Sequence, residues 1–257
     1  MDYSTVETLT AQLRALGVRR EGVLLVHSSY KSLGEVIGGP QAVVEALLAA
    51  AGTVVVPTHT PENSEPAAWS NPPVPDAWWG PIRHESPGFD PARTPASRWM
   101  GRLAELVRTW PGARRSDHPQ VSFAAVGPRA AAVVGGHSLA DNLGEASPLG
   151  AIYRMDGQVL LLGVRHDANT SLHLGETRQP SPPMHAAGSS VRGRGWTTWT
   201  EVEVDAGDFD VLGEAFEETG AVTLGPVGAS TARLMSQRAA ADFATAWIRH
   251  HRGNEGG

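Results

Sequence analysis

Apolar residues in the first sixty positions occur either at helical spacing or in short continuous runs. Residues 4–17 combine a Ser4/Glu7 capping pattern with leucines at helical spacing and end at Gly17, which predicts an amphipathic helix. Residues 22–29 and 53–60 are nearly continuous apolar runs, and residues 38–52 between them predict a helix with Pro40 in its first turn. Two strands that are apolar on both faces and joined by a helix predict a parallel βαβ unit inside a sheet.

The rest of the chain continues this alternation. Two more apolar runs, at 121–127 and 157–164, predict strands that are each followed by a helical pattern. The remaining predicted elements are a helix over 97–109, a strand around 201–204, a short helix within 208–218 and a long helix around 229–250. The fold class is therefore predicted as α/β, with a mostly parallel central sheet flanked by helices in a single domain over 1–257.

Residues 58–97 interrupt the regular pattern. They contain nine prolines, three tryptophans, five acids and two arginines. Irregular segments of this length are usually lids over a site or disordered linkers, and tryptophans are rare in disordered segments. The sequence predicts a long loop that packs over one edge of the sheet and partly covers a site, with a purely structural excursion as the alternative.

Composition removes several classes of function. The formal net charge is −6, from 21 basic and 27 acidic residues without a basic cluster, which argues against nucleic acid as a partner. The absence of cysteine excludes disulfides, thiolate metal sites and a cysteine nucleophile. The longest apolar stretch, 42–57, is broken by Glu45 and Gly52, and the first residues lack the pattern of a signal peptide. We therefore expect a cytoplasmic protein without a membrane segment, of undetermined oligomeric state.

Three histidines follow the ends of predicted strands. His27 ends the first strand, His59 lies just past the second, and His166 follows the run at 157–164. Ligands of open parallel sheets bind beside the carboxyl ends of the strands, so these imidazoles predict a site on one rim. A histidine at a strand end can also be purely structural, and the chain has ten histidines in all.

Several chemistries can use the segment "GVRHDANTSLHLGE", residues 163–176. His166, Asp167 and His173 are candidate ligands of a metal-dependent hydrolase, but the H-E-x-x-H pattern of many zinc hydrolases is missing. The G-x-S-x-G turn of serine hydrolases is missing too. The remaining interpretation makes His166 a general base, because imidazole is suited to proton transfer at neutral pH. The metal-dependent hydrolase stays open as an alternative.

Four sequence blocks carry a resemblance to a known family. They are "LLVHSSYKSLGEVIGGPQAVVEALL", "GTVVVPTHT", "RTWPGARRSDHPQVSFAAVGP" and "SPLGAIYRMDGQVLLLGVRHDANTSLHLGE". In this order they resemble the aminoglycoside N(3)-acetyltransferases, an antibiotic-resistance family unrelated to the GNAT fold. The resemblance implies transfer of acetyl from acetyl-CoA, as co-substrate, to the 3-amine of the deoxystreptamine ring of a cationic aminoglycoside, with no metal expected.

The resemblance also implies a set of catalytic residues. His166 is expected to be the base, with Asp167, Glu176 or Glu201 as the acid that orients it or holds the substrate's cation. Attack on the thioester creates an oxyanion that needs a placed hydrogen-bond donor. Thr170, at the start of its helix, is the candidate donor.

The resemblance, together with the chemistry of the two substrates, also indicates residues that bind acetyl-CoA and residues that bind the aminoglycoside. The strand end and loop from His27 offer small and hydroxyl side chains and backbone N–H groups for acetyl-CoA. The cofactor candidates are His27, Ser28, Ser29, Ser32, Leu33, Gly34, Arg98 and Met100. A polycationic acceptor calls for acids, and these candidates are Glu62, Asp90, Asp141, Glu145 and Glu176.

Two positions depart from the family pattern. Arg165 stands where the family usually has glycine, and a cation beside His166 would lower the pKa of that base and repel a cationic substrate. Gly175 stands where alanine is more common, at a small cost in helix propensity. A second alternative is therefore a CoA-binding protein that acetylates a different amine or none.

Overall fold

A seven-stranded sheet forms the centre of the protein. The computed structural model describes residues 3–70 and 72–253. The strands are β1 (Val23–Ser28), β2 (Thr53–Pro57), β3 (Arg114–Arg115), β4 (Phe123–Val126), β5 (Gln158–Leu162), β6 (Met184–Val191), β7 (Gly195–Val202), β8 (Val222–Val227) and β9 (Ser230–Ser236). Seven of them pair in the order β3-β4-β2-β1-β5-β9-β8, and β6 and β7 form a separate hairpin.

The predicted parallel βαβ unit is confirmed at the middle of the sheet. Strands β2 and β5 both pair with β1 in parallel, with Leu25 opposite Val55 and His27 opposite Leu161. The prediction of a mostly parallel sheet is wrong, because the remaining pairings, of β4, β3, β9 and β8, are antiparallel. An unbroken apolar run shows that a strand is buried on both faces but carries no information about its direction.

Helices cover both faces of the sheet, which confirms the α/β class. They are α1 (Val6–Leu16), α2 (Gly39–Ala50), α3 (Trp79–Glu85), α4 (Gly101–Arg108), α5 (Ala130–Val134), α6 (Pro148–Arg154), α7 (His173–Thr177), α8 (Phe209–Glu218) and α9 (Gln237–His251). Alternate residues of β1 face two different cores: Leu24 and Val26 pack with α1, α2 and α4, and Val23 and Leu25 pack with the later helices. None of the described helices is long and apolar enough to cross a bilayer.

Several boundaries differ from the sequence prediction. Helix α1 is capped by Thr5 and Thr8, each side chain bonding the other's backbone, and not by Ser4 and Glu7. The long helix predicted around 229–250 begins only at Gln237, because residues 230–236 form β9 between β5 and β8. Their side chains have ordinary helix-forming composition, and burial in the sheet overrides that preference.

Residues 58–97 are more ordered than a plain loop. They contain short 3-10 turns at Pro61–Asn63, Pro66–Ala68 and Asp76–Trp78, followed by α3. The segment packs on the β6–β7 hairpin: Phe89 bridges Val191, and the Ser189 hydroxyl donates to the Asn63 carbonyl at 2.6 Å. The hairpin therefore holds this segment beside the carboxyl ends of β1 and β2.

Candidate active site

A small cavity lies where the three parallel strands end. His27 is the penultimate residue of β1, His59 follows β2 by two positions, and the segment after β5 supplies Asp167 and Thr170. The cavity measures about 280 Å³ and is lined by these four residues together with Val26, Ser28, Val56, Pro57, Trp99, Met100, Ala104, Val164 and Ala168. The predicted rim site thus contains two of the three expected histidines.

Trp99 connects this cavity to two larger ones. On one side it borders a cleft of about 870 Å³ beside Ser28–Glu35, and on the other a cavity of about 320 Å³ that contains Glu62 and Trp69. Its side chain is exposed, and the Arg98 guanidinium lies 4.6 Å from the centre of its ring. The small cavity is therefore the place where ligands entering from the two larger cavities can meet.

His173 and Glu176 form a buried pair near His27 and His59, the two histidines of the small cavity. The His173 Nδ1 atom lies 2.6 Å from Glu176 Oε2 across one turn of α7. The other carboxylate oxygen, Oε1, accepts from the Asp205 backbone N–H at 2.9 Å and from the Arg252 guanidinium. Nε2 of His173 makes no hydrogen bond to any described residue, so this nitrogen is available for a further hydrogen bond.

The start of α7 explains how His173 is held. The Asn169 side chain accepts from the Ser171 backbone N–H at 3.2 Å and caps the 3-10 turn that leads into the helix. Gly175 lets α7 approach α9, since a Cβ there would lie 2.7 Å from the Ala244 carbonyl carbon. The glycine that departs from the family pattern therefore has a packing role in this chain.

The two rim histidines are neutral and lie near His173. Burial lowers the pKa of His27 to about 3, and the nearby charge of His173 adds to that shift. Burial likewise lowers the pKa of His59 to about 3, followed by the charges of His173, His27 and two further histidines. Thr170 Oγ1 lies 3.4 Å from His27 Nε2. Of these imidazoles, His173 is the one that already has a carboxylate partner.

The structure does not bring His166 into this group. Its ring is buried against α8, where a Cβ on Gly213 would overlap the imidazole, and its Nε2 pairs with Glu217 Oε1 at 2.9 Å. Glu217 also accepts from Arg233 at 2.6 Å. Burial lowers the pKa of His166, and Glu217 opposes that shift. The acid behind His166 is thus Glu217, and none of Asp167, Glu176 and Glu201.

Of the other catalytic candidates, two line the small cavity and one lies in the β6–β7 hairpin. Asp167 and Thr170 line the small cavity, as expected of site residues. Glu201 lies buried in the β6–β7 hairpin, where it accepts from Trp199 Nε1 at 2.6 Å and from His185 Nε2 at 3.1 Å. Arg165 points towards α8 and pairs with two acids of that helix, Asp210 and Glu214, so the cation expected to disturb the base is neutralised elsewhere.

Three of the eight candidates for binding the acetyl donor line the cleft of about 870 Å³. Ser28, Ser29 and Gly34 line it, together with Lys31 and Arg102. Ser32 uses its hydroxyl to bond the Ser29 carbonyl at 2.7 Å. Of the remaining candidates, His27 and Met100 line the small cavity, and the Arg98 guanidinium stacks on the Trp99 ring. Leu33 is buried in the core. The Leu33 side chain is therefore a core residue that a ligand cannot reach.

Of the acids expected to bind a cationic acceptor, Glu62 lies beside a cavity and accepts from the Ser97 hydroxyl at 2.5 Å. Asp90 is buried and paired with Arg192 at 2.6 Å. Asp141 accepts from the Ala146 backbone N–H at 2.6 Å within its own loop. Glu145 pairs with Arg178 at 2.7 Å on the surface. Glu176 is occupied behind His173, so the structure does not gather these acids into one binding site.

The ligand set of the metal-dependent hydrolase does not converge either. His166 pairs with an acid on α8 and His173 with an acid on α7. Across residues 3–70 and 72–253, no three histidine or acidic side chains are grouped as metal ligands.

A family model now fits these observations. The model described as aminoglycoside 3-N-acetyltransferase matches residues 25–249, which include most of β1, all of β2 and β5, and the His166–Glu217 and His173–Glu176 pairs. The chain belongs to the aminoglycoside 3-N-acetyltransferase family. It is an acyltransferase, as its family name states.

Several relatives align with this chain over nearly the full length of both proteins. The SPbeta prophage-derived aminoglycoside N(3')-acetyltransferase-like protein YokD of Bacillus subtilis (strain 168) is 39% identical, with 95% of this chain and 92% of YokD covered. Aminoglycoside N(3)-acetyltransferase VIII of Streptomyces fradiae is 32% identical, with 97% and 93% covered. The crystal structure of YokD matches with a TM-score of 0.96 over 99% of this chain and 97% of that chain. The structure titled AAC-IIIb binary with CoASH is 27% identical and matches with a TM-score of 0.84 over 96% and 97%.

Three features of the site in this family member were not predicted from its sequence. His173 was considered only as a metal ligand, although an H-x-x-E spacing on a helix places histidine and glutamate on one face. Trp99 was missed too, because a single tryptophan in a short turn carries no pattern. Glu217 lies on an amphipathic helix far along the chain, and nothing in the sequence connects it to His166.

Proposed function

We propose that this protein transfers the acetyl group of acetyl-CoA to the 3-amine of aminoglycosides, with His173 as the general base. The observation that carries the proposal is the His173–Glu176 pair close to His27 and His59, which line a small cavity that shares Trp99 with two larger ones. A base that is already oriented by a carboxylate and has one free ring nitrogen is what amine acylation needs.

Glu176 determines which nitrogen of His173 is free. As an anion it only accepts hydrogen bonds, so the facing Nδ1 atom carries the proton and Nε2 keeps its lone pair. The neutral substrate amine attacks the thioester carbonyl carbon, a C–N bond forms, and Nε2 takes the proton that the nitrogen loses. When the C–S bond breaks, the sulfur leaves with the electron pair and is protonated in turn, so that free thiol is released.

Surrounding histidines make His173 the group that takes the proton. His27 and His59 each have a pKa of about 3, so they stay neutral at physiological pH. His166 has its own acid and is buried against α8, whereas His173 lies close enough to the two cavity histidines for its charge to lower the pKa of both. We therefore move the role expected of His166 to His173, with Glu176 in place of the three acids considered for it.

The cleft beside Ser28–Glu35 suits the acetyl donor. Lys31 and Arg102 lie along it and Arg98 lies next to it, and none of the three forms an ion pair within the described part of the chain. Free cations at the mouth of a cleft are suitable partners for phosphates. The relative solved with CoASH supports a donor of this kind. Ser28 and Trp99 connect this cleft to the small cavity, where we place the thioester.

The cavity with Glu62 and Trp69 suits the acceptor. It offers a carboxylate and two tryptophan rings, Trp69 and Trp99, to a cationic amino sugar. One relative was solved with sisomicin and another, as a histidine-to-alanine mutant, with a gentamicin. We propose that residues 58–97 form one wall of this cavity as part of the same domain, and that acetylation by the protein confers aminoglycoside resistance.

The test measures release of free thiol from acetyl-CoA in the presence of sisomicin or gentamicin. Wild type and His166→Asn should turn over, and His173→Asn should lose at least ~100-fold in kcat while still binding acetyl-CoA. Turnover that depends on His166 instead would contradict the assignment. A wild type that releases no thiol with any aminoglycoside would overturn the proposed function itself. A susceptible bacterium expressing the wild type, but not His173→Asn, should grow at higher drug concentrations.

A further inference from the structure

The His59 side chain has no role in the proton transfer proposed for His173 and Glu176. It borders the small cavity, yet its Nε2 atom is buried without a hydrogen-bond partner, and Nδ1 has none among the described residues. Buried polar groups in folded proteins are normally paired, so an unpaired ring at a cavity wall needs an explanation. His27 does not raise the same question, because its Nε2 faces the Thr170 hydroxyl.

The position of the His59 ring is fixed from several directions. The flanking residues Thr58 and Thr60 donate backbone hydrogen bonds to Ser122 and Gln120 at 2.8 and 2.7 Å. The His59 carbonyl accepts from the Ser97 backbone N–H at 2.8 Å. The ring packs edge-on against Phe123 with the ring centres 5.3 Å apart. A side chain held in this way can present a hydrogen-bond donor without rearranging during the reaction.

The charge state of His59 determines what it offers. Its neutral ring carries one proton, on either Nδ1 or Nε2. A buried N–H without a partner is rarer than a buried acceptor without one, so the proton belongs on Nδ1 and the bare lone pair on the enclosed Nε2. His59 then presents an N–H to the cavity in which the thioester is attacked. Because burial lowers the pKa of His59 to about 3, its ring is a weak base and does not compete with His173 for the proton of the amine.

We propose that His59 Nδ1–H donates a hydrogen bond to the thioester carbonyl oxygen and stabilises the negative charge that develops there. This role rests on the proposed function, in which the carbonyl lies in the small cavity. His59 would be a second hydrogen-bond donor beside the one expected from Thr170. The two residues lie on opposite sides of the cavity, because His59 follows β2, Thr170 follows β5, and β1 lies between these strands. His59 is thus a catalytic residue that neither the resemblance nor the comparisons assign.

The experiment compares two substitutions of similar size. His59→Leu removes the donor and keeps an apolar contact with Phe123, whereas His59→Asn keeps an N–H close to the position of Nδ1. We expect His59→Leu to lower kcat by about 10²–10³-fold with little change in KM for either substrate. We expect His59→Asn to stay within about tenfold of wild type, because its amide replaces the donor.

Three results would overturn the proposal: a His59→Leu enzyme that keeps most of its kcat, a loss confined to KM, or a His59→Asn enzyme as slow as His59→Leu. Thermal unfolding of each variant checks that it is folded. If His59→Leu does not fold, His59→Gln replaces it, since the longer amide places its donor near Nε2 and should be slow where His59→Asn is fast. Wild-type turnover in the same assay separates this result from a failure of the proposed function, which would abolish thiol release in every enzyme.

Discussion

Glu176→Gln is the substitution for which the structure makes the most specific prediction. Glu176 Oε1 accepts from two donors, the Asp205 backbone N–H and the Arg252 guanidinium. In the variant, the amide oxygen must stay with these two donors, so the amide nitrogen turns towards His173 Nδ1. That ring nitrogen then accepts a hydrogen bond, the ring proton moves to Nε2, and His173 can no longer take a proton from the amine.

The size of the effect follows from the loss of the base. General bases contribute about 10²–10⁴-fold, so kcat for acetyl transfer to sisomicin should fall by at least ~100-fold. Arg252 keeps its pair with Asp208 and its bond to the Asp205 carbonyl, so the protein should remain folded. The variant keeps its hydrogen bonds but loses the negative charge that strengthens them, which should cost about 1–3 kcal/mol in the free energy of unfolding, measured by denaturant titration.

Glu217→Gln is the matched control, because it changes the second His–Glu pair in the same way. Acetyl transfer by this variant should stay within about threefold of wild type, since His166 and Glu217 take no part in the proposed proton transfer. The reasoning is refuted if Glu176→Gln keeps a third or more of the wild-type kcat, or if Glu217→Gln loses as much as Glu176→Gln.

Three further predictions concern packing, charge and pH. Gly213→Ala places a Cβ into the His166 ring and should lower the free energy of unfolding by about 1–3 kcal/mol. The control, Gly80→Ala, adds a Cβ with no atom within 4 Å and should leave that free energy unchanged or slightly raised. Equal unfolding curves for the two variants would contradict this prediction. Arg165→Gly should leave kcat and KM for gentamicin within about twofold, because the side chain pairs with α8; a large gain in kcat/KM would show that the cation does act on the site. Burial lowers the pKa of His118 to about 3 and that of His137 to about 4, below the unfolded value of 6.5, so the unfolded state binds more protons and stability should fall as the pH drops below 6.5. Each such histidine contributes a slope of ~1.4 kcal/mol per pH unit, and denaturant titrations at several pH values should show a shallower slope for His118→Gln.

The sequence could predict the part of the fold that depends on burial. Strands β1 and β2 were predicted as a parallel pair, because a helix between two apolar runs leaves few other arrangements, and β5 was predicted from its own apolar run. Strands β8 and β9 were missed, since their side chains are partly exposed or have helical composition, and their place is set by the open edge of β5. The antiparallel direction of β4 was not predicted. The preceding strand, β3, pairs with β4 but has only two residues, both arginine, and therefore gives no apolar pattern in the sequence.

The position of the site could be predicted from the sequence, but the base that we propose could not. The rim position of His27 and His59 follows from strand ends alone. The choice between His166 and His173 depends on which way each ring turns after β5. That is decided by Gly213 and Glu217 on α8 and by the packing of α7 on α9, elements that lie far along the chain from the histidines they affect. Contacts at that separation have no local pattern in the sequence.

The most direct test of the central claim identifies the product. Wild type and His173→Asn would each be incubated with isotopically labelled acetyl-CoA and sisomicin, and the acetylated nitrogen would be located by NMR. The account predicts a single labelled acetyl group on the 3-amine with wild type, and almost none with His173→Asn. Label on another amine would contradict the proposed position of transfer, and equal labelling by the two enzymes would contradict His173 as the base.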